Sequence, residues 1–293
     1  MKKETKGVLF ALLGGICWGI SGCCGQYVFS NSNIDAKWLT TMRLVVGGIM
    51  LLAICMVKEK EQLKEVLKDK TDMIRIIAYG IFGMMLCQYA YLSAIEFTNA
   101  TTATVIQYSG PAMVVIVVCL IEMRLPKLVE LISVILAFGG TFLLATHGDP
   151  HTLVISPKGL FWCIMAAVTL VCYTMILGDT LKKRPTIVCN ALGLIIGGIV
   201  LSVIIRVWEF RPDWDLAVML CVFVVIFVGT VLAFTFYMQG VANVGPVKAS
   251  ILASVEPVTA AIVSFFWLNT RLAPVDMAGF VMIMITVFIL AKK

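Results

Sequence analysis

Glu256 is the acidic residue standing well inside an apolar stretch, and Pro257 follows it directly. A carboxylate at the centre of a membrane costs on the order of 2.5–3.5 kcal/mol on insertion scales, so it must face protein or a water-filled cavity. Two chemistries fit it. As a functional group it carries a coupling proton or pairs with a substrate amine. As a structural group it hydrogen-bonds backbone that Pro257, lacking an N–H, leaves unpaired. Upstream, Thr101, Thr104, Tyr108 and Pro111 recur at helical spacing with Gln107 beside them. Such a polar stripe needs burial, either along a central cavity or as glue between helices. Trp18 is too deep for an interfacial position and offers a ring for an apolar or aromatic substrate, with Ser21 on the same face. Trp162, Thr169 and Tyr173 form a further stripe, and Gln88, Tyr91, Tyr237 and Gln239 add polar groups to the candidate cavity. Ser250, Ser254 and Pro257 share one face of a regular helix, whereas Glu256 points about 100–200° away. Either Pro257 distorts that helix, or the serines and the glutamate serve different surfaces. Pro111 and Pro257 are the candidate hinges. Arg43 lies a turn or two inside its stretch and is read as snorkelling to the headgroups, in preference to binding a substrate carboxylate. Gly15, Gly19 and Gly22, in line with Gln26, have the spacing of a close helix–helix contact.

Other chemistries lack their residues. Cys17, Cys55, Cys87, Cys119, Cys163, Cys172 and Cys221 lie in apolar runs without a C-x-x-C pair, and read as small buried hydrophobes. His147 and His151 share one connector with Asp149, but nothing in the sequence makes a third firm ligand or a fixed geometry for a metal. The sequence contains no G-x-x-x-x-G-K-[ST], no H-E-x-x-H and no paired intramembrane aspartates. An ATPase or a membrane-embedded enzyme is therefore not expected, and neither a cofactor nor a metal is called for.

The elements that position these residues follow from composition. Of 293 residues 60% are apolar and 14% charged, and the mean hydropathy is +1.00. A soluble domain runs at about 45–50% and about 25%. Ten apolar stretches, at 7–29, 37–57, 73–95, 100–121, 127–146, 158–178, 186–207, 215–239, 246–268 and 273–291, are each long enough to cross ~30 Å of hydrocarbon as a helix. The first is too long for a signal-peptide core and has no A-x-A site, so it reads as a retained helix. With the N-terminus in the cytoplasm, 17 Lys and Arg fall inside and six fall outside, which places both termini in the cytoplasm. The net charge of +6 thus sits at helix ends and marks topology, not a nucleic-acid partner. Lys248 is one such topology residue. Residues 58–72 form a charged cytoplasmic connector, read as a solvated loop; Leu63, Val66 and Leu67 would share one face if it folded as a surface helix. The second, fifth, seventh and tenth stretches are nearly uniformly apolar with glycine pairs, the pattern of packing scaffold.

Ten spans split into five plus five at the 148–157 connector. Because five is odd, the halves 1–147 and 158–293 insert with opposite orientation. Residues 91–111 align without gaps onto 237–257, pairing Tyr91 with Tyr237, Ala103 with Ala249 and Pro111 with Pro257. An inverted repeat of this kind places a binding site near the midplane between its halves.

Trp18-Gly19, Arg43-Leu44, Ala94-Ile95-x-x-Thr98 with Ala103 and Pro111, Glu122-x-Arg124-Leu125, and Glu256-Pro257-Val258 occur in that order. In this the chain resembles, over its whole length, the drug/metabolite transporter superfamily in its ten-helix EamA-type branch. Asn269 departs from the pattern where the second half would carry the helix-end glutamate. The resemblance implies export of small metabolites, a group that spans amino acids, nucleotide sugars and drugs. The expected protein is a secondary transporter in the cell's inner membrane, exporting amino acids or similar amphipathic solutes by alternating access. Its partners are the small-molecule substrate, membrane lipids and, if Glu256 couples, protons; a monomer suffices. A multidrug/proton antiporter and a lipid-linked substrate flippase are the alternatives. The helix-one glutamate of related four-helix drug exporters has no counterpart between Gly7 and Phe29, which weighs against the antiporter. A channel's polar rings are not seen.

Overall fold

Apolar runs of this length have one way to satisfy their backbone in lipid, the hydrogen-bonded helix. The computed structural model describes residues 3–149, 153–176, 180 and 183–291, nearly all of them helical, with no strand among them. His151 of the connector, and Lys2, Lys182, Lys292 and Lys293 of the charge count, lie outside the described residues.

We number the helices α1 (Lys3–Asn31), α2 (Ala36–Lys58), α3 (Lys60–Lys68), α4 (Lys70–Phe97), α5 (Ala100–Ile121), α6 (Leu128–Thr146), α7 (Pro157–Ile176), α8 (Thr186–Ile205) and α9 (Leu216–Val244). After them come α10, in two segments Pro246–Ala253 and Val255–Trp267, and α11 (Pro274–Ala291). Eight of these are long and apolar enough to cross a membrane, and α7 and α11 carry shorter apolar stretches. Side-chain caps fix several starts. Asp35 accepts from the Trp38 amide at 2.8 Å ahead of α2, and Asn99 from the Thr102 amide at 2.8 Å ahead of α5.

The charged connector differs from a solvated loop. It folds as α3, burying Leu63 and Val66 against Leu51, Cys55 and Ile76 while Leu67 stays exposed. Arg184, just before α8, donates to Glu65 at 2.7 Å and to Asp72 at 2.7 Å, and lies 3.6 Å from Asp69. The bond to Asp72 comes first among the causes that raise the guanidinium above its ordinary pKa. A protein surface, not a headgroup layer, thus receives the apolar face of this helix.

Irregularities in the helices recur at matched positions. Helix α4 widens into a π segment at Tyr79–Met85 and α9 at Val224–Leu232. Extended backward, the alignment of 91–111 with 237–257 lays 79–85 onto 225–231. Helix α5 is interrupted at Tyr108–Ser109 and α10 at Ser254, and that alignment pairs Tyr108 with Ser254. Met123 and Asn269, also paired, end α5 and α10 nearby in left-handed conformations with φ +49° and +54°. Asparagine tolerates that conformation better than most residues; at this offset its counterpart is Met123, one residue past the helix-end Glu122.

Glycines set the closest approaches. A Cβ on Gly15 would stand 2.5 Å from the Ala253 carbonyl oxygen, and one on Gly19 2.7 Å from that of Glu256, so α1 lies backbone to backbone on the interrupted part of α10. Helices α6 and α11 meet reciprocally: a Cβ on Gly140 would reach the Gly279 oxygen at 2.6 Å, and one on Gly279 the Gly140 oxygen at 2.7 Å.

Candidate functional site

The break in α10 re-aims its side chains. On a regular helix Ser250 and Glu256 point apart, yet both line one cavity of about 720 Å3. Helix α1 contributes Trp18, α4 contributes Gln88 and Tyr91, α5 contributes Gln107, Tyr108 and Pro111, α7 contributes Tyr173, and α9 contributes Phe234 and Tyr237. The indole of Trp18 stands edge-on to Phe234, with ring centres 5.5 Å apart, and 5.3 Å from Tyr237. Tyr173 is 5.3 Å from Tyr79, whose hydroxyl donates to Asn190 at 2.7 Å. The walls are therefore aromatic, with charge at discrete points.

Two of those points are Arg43 and Glu256. The arginine does not snorkel: it is 4% exposed, donating through Nε to Thr230 Oγ1 at 3.0 Å and through Nη2 to the Gly229 carbonyl at 3.0 Å. Both partners belong to the π segment of α9, whose irregular turn presents a carbonyl and a hydroxyl to the fork of the guanidinium. Glu256 is 9% exposed, and the Tyr108 hydroxyl lies 3.0 Å from its Oε2 and 3.3 Å from the Ala253 carbonyl oxygen.

Nine of the sixteen residues singled out in the sequence line the cavity: Trp18, Gln88, Tyr91, Gln107, Tyr108, Pro111, Tyr173, Tyr237 and Glu256. The other seven lie elsewhere, for local reasons. Thr104 stands behind the wall and bonds the Tyr91 hydroxyl at 2.8 Å. Ser21 packs against Gly229, and Trp162 stands edge-on to Tyr89 with centres 5.1 Å apart. The hydroxyls of Thr169 and Ser254 turn back onto their own helices, at 2.7 Å from the Met165 carbonyl and 3.2 Å from the Ser250 carbonyl. Gln239 is exposed, and Pro257 is buried in α10 beside the cavity. Sequence reasoning set Arg43 aside as snorkelling and did not single out Glu130 or Thr186, yet all three line the cavity, on helices read as scaffold. The signal was present for two of them, since an ionisable residue inside a span is a site candidate by default.

The cavity has direction. From Arg43 and Glu256 it reaches Glu130 and Thr186, on the first turns of α6 and α8. There Arg124 holds the Glu130 carboxylate at 2.8 and 3.2 Å, and Glu4 pairs with Lys248 at 2.6 Å. The opposite end of the bundle is tied shut. Gln26 accepts from the Ala100 amide at 2.8 Å and donates to Thr270 at 3.3 Å, while Tyr27 stacks on Trp267 with ring centres 5.3 Å apart. Asn33 reaches across to the Arg211 carbonyl at 3.1 Å and the Asp213 amide at 2.9 Å. No group of three or more metal-ligating side chains occurs among the described residues.

A multi-span helical bundle around an aromatic, charge-pointed cavity reached from one face is the build of a membrane transporter. The chain belongs to the EamA-like transporter family, which matches residues 5–146 and 157–292. It is 29% identical over 291 residues to an uncharacterized inner membrane transporter, YicL, of Salmonella typhimurium, covering 99% of this chain and 97% of that protein. It is 23% identical over 286 residues to an uncharacterized transporter, YwfM, of Bacillus subtilis, covering 97% and 93%. A solved structure described only as the crystal structure of a protein superposes with a TM-score of 0.65 at 14% identity, over 98% of this chain and 96% of that one, a likeness of fold.

Proposed function

We propose that this protein is a secondary transporter exporting small amphipathic metabolites of the amino-acid type from the cytoplasm by alternating access. In this reading ten helices cross the membrane as two five-helix halves of opposite orientation, 1–147 and 158–293 joined by 148–157, with both termini cytoplasmic. The matched π segments and matched breaks support the two halves, as does the double match of the family. The observation carrying the function is that Arg43 and Glu256 line one aromatic cavity. A zwitterion with an apolar side chain meets a cation for its carboxylate, an anion for its amine and rings for the remainder. Glu256 is also the proton-coupling group of this reading, exchanging its proton with cavity water.

Counterflow in proteoliposomes tests it, with labelled amino acids including aromatic ones, with and without a pH gradient, in wild type and Glu256→Gln. Saturable, gradient-dependent uptake that the substitution abolishes is the expected result. Uptake indifferent to both gradient and substitution would leave a facilitator with a structural Glu256. No uptake across the panel by folded protein would overturn the amino-acid class.

A further inference from the structure

Tyr108 presents a proton-counting problem. Its hydroxyl lies within bonding reach of Glu256 Oε2 at 3.0 Å and of the Ala253 carbonyl oxygen at 3.3 Å. A phenol has one proton to donate, and a carbonyl and a carboxylate only accept. The Ala253 carbonyl is itself unusual. In a continuous helix its donor would be the amide of residue 257, which is proline, and α10 is interrupted at Ser254, next in the chain. The Gly15 backbone closes over the same oxygen, leaving no room there for a side chain of α1.

We propose that Tyr108 is the positioning residue through which the protonation state of Glu256 sets the hydrogen bonding of the break in α10. With Glu256 ionised, the phenol donates to Oε2 and the Ala253 carbonyl goes without it. When Glu256 takes a proton from cavity water, the acid O–H donates to the Tyr108 oxygen, and the tyrosine O–H turns to Ala253. The O–H bond formed on Glu256 replaces the one broken in the hydronium that delivers the proton, leaving water; tyrosine keeps its own proton throughout. The break of one half thereby reads the proton through the break of the other, because Tyr108 stands at the interruption of α5. The other titratable groups lining this part of the cavity are Arg43 of α2, Cys87 and Tyr91 of α4 and Tyr237 of α9; α1 brings the indole of Trp18 and the glycine backbone. Tyr91 is engaged by Thr104 at 2.8 Å and Arg43 by the α9 π segment, so neither replaces Tyr108 at Ala253.

The inference rests on the reading of Glu256 as a proton carrier, and its test separates the two without needing a substrate. The full chain in lipid is titrated while infrared difference spectra follow the protonated carboxyl band and hydrogen exchange, corrected for intrinsic rates, follows the amides of residues 250–259. Wild type is expected to gain, on acidification, a carboxyl band missing from Glu256→Gln, together with about fivefold slower exchange at the break, the worth of one net hydrogen bond. Tyr108→Phe should keep the band and lose the exchange response. Glu256→Gln, whose amide N–H can donate to the phenol as the acid does, should exchange slowly at every pH. A break that follows pH equally well in Tyr108→Phe, or a wild-type break indifferent to a carboxyl that does titrate, overturns the role of Tyr108. A carboxyl that never titrates overturns the proton reading of Glu256, and this inference with it.

Discussion

The guanidinium of Arg43 is anchored by a hydroxyl and a backbone carbonyl of the same irregular turn, a geometry that uses the fork of an arginine. A lysine carries its three donors on one nitrogen and lacks the planar fork whose separate nitrogens reach the two acceptors. Arg43→Lys and Arg43→Gln are therefore both expected to lower transport by roughly tenfold or more, the scale of a hydrogen bond to a charged group, read as counterflow rate at equal reconstituted protein. Thr169→Ala is the contrast. Its hydroxyl is tied back to the Met165 carbonyl and stands off the cavity lining, so the rate should change by less than about twofold. These two residues also show how far the site was legible in the sequence. Residue type and depth found Glu256, Trp18 and the tyrosines, because intramembrane polar and aromatic groups need a reason to be there. What those signals cannot carry is azimuth. Thr169 and Ser254 satisfy their hydroxyls within their own helices, a solution invisible in spacing. Arg43 was misread as snorkelling because its partners lie 187 and 186 positions away in sequence.

At the scale of the element, hydropathy located the apolar helices, eight of them long enough among the described residues to cross a membrane. The stretch at 100–121 coincides with α5, while the one at 73–95 falls short of α4, Lys70–Phe97, by a few residues at either end. The π segments left no trace in composition, since an added residue in an apolar run alters register without altering hydropathy. The α1–α10 contact yields a prediction of its own. Alanine at Gly19 would press a methyl to 2.7 Å from the Glu256 carbonyl oxygen, and a backbone atom cannot yield as a side chain would. Gly19→Ala should cost about 1–3 kcal/mol, read as a lowered thermal midpoint in detergent. The packing of α3 responds to acid instead. Asp69 caps α4 by accepting from the amides of Thr71 at 2.9 Å and Asp72 at 3.1 Å, and the bond from Asp72 leads in holding its carboxyl below the ordinary value. A depressed carboxyl contributes above its unfolded pKa and stops contributing as pH falls through the folded one. Protection from hydrogen exchange at 60–72, corrected for intrinsic rates, should thus be high at neutral pH and fall below about pH 4, near the unfolded value of aspartate.

For the molecule as a whole, the cavity reaches one face and the other is tied by Gln26 and Asn33. Cysteines placed at Thr186 and Val241 should react with a membrane-impermeant maleimide from the lysine-rich side, and one at Gln26 from neither, each measured against the unsubstituted chain. Labelling from the opposite side would reverse the assigned orientation. The paired glycines of α6 and α11 carry a consequence of another kind. Each backbone lies where the other's side chain would be, and two different stretches meet as copies of one subunit meet across a two-fold axis. Such a seam is self-complementary before it is covalent. The covalent link between the two stretches then adds local concentration to a seam already complementary. A chain severed in the 148–157 connector and produced as two separate polypeptides should find its own other half, as the subunits of a dimer do.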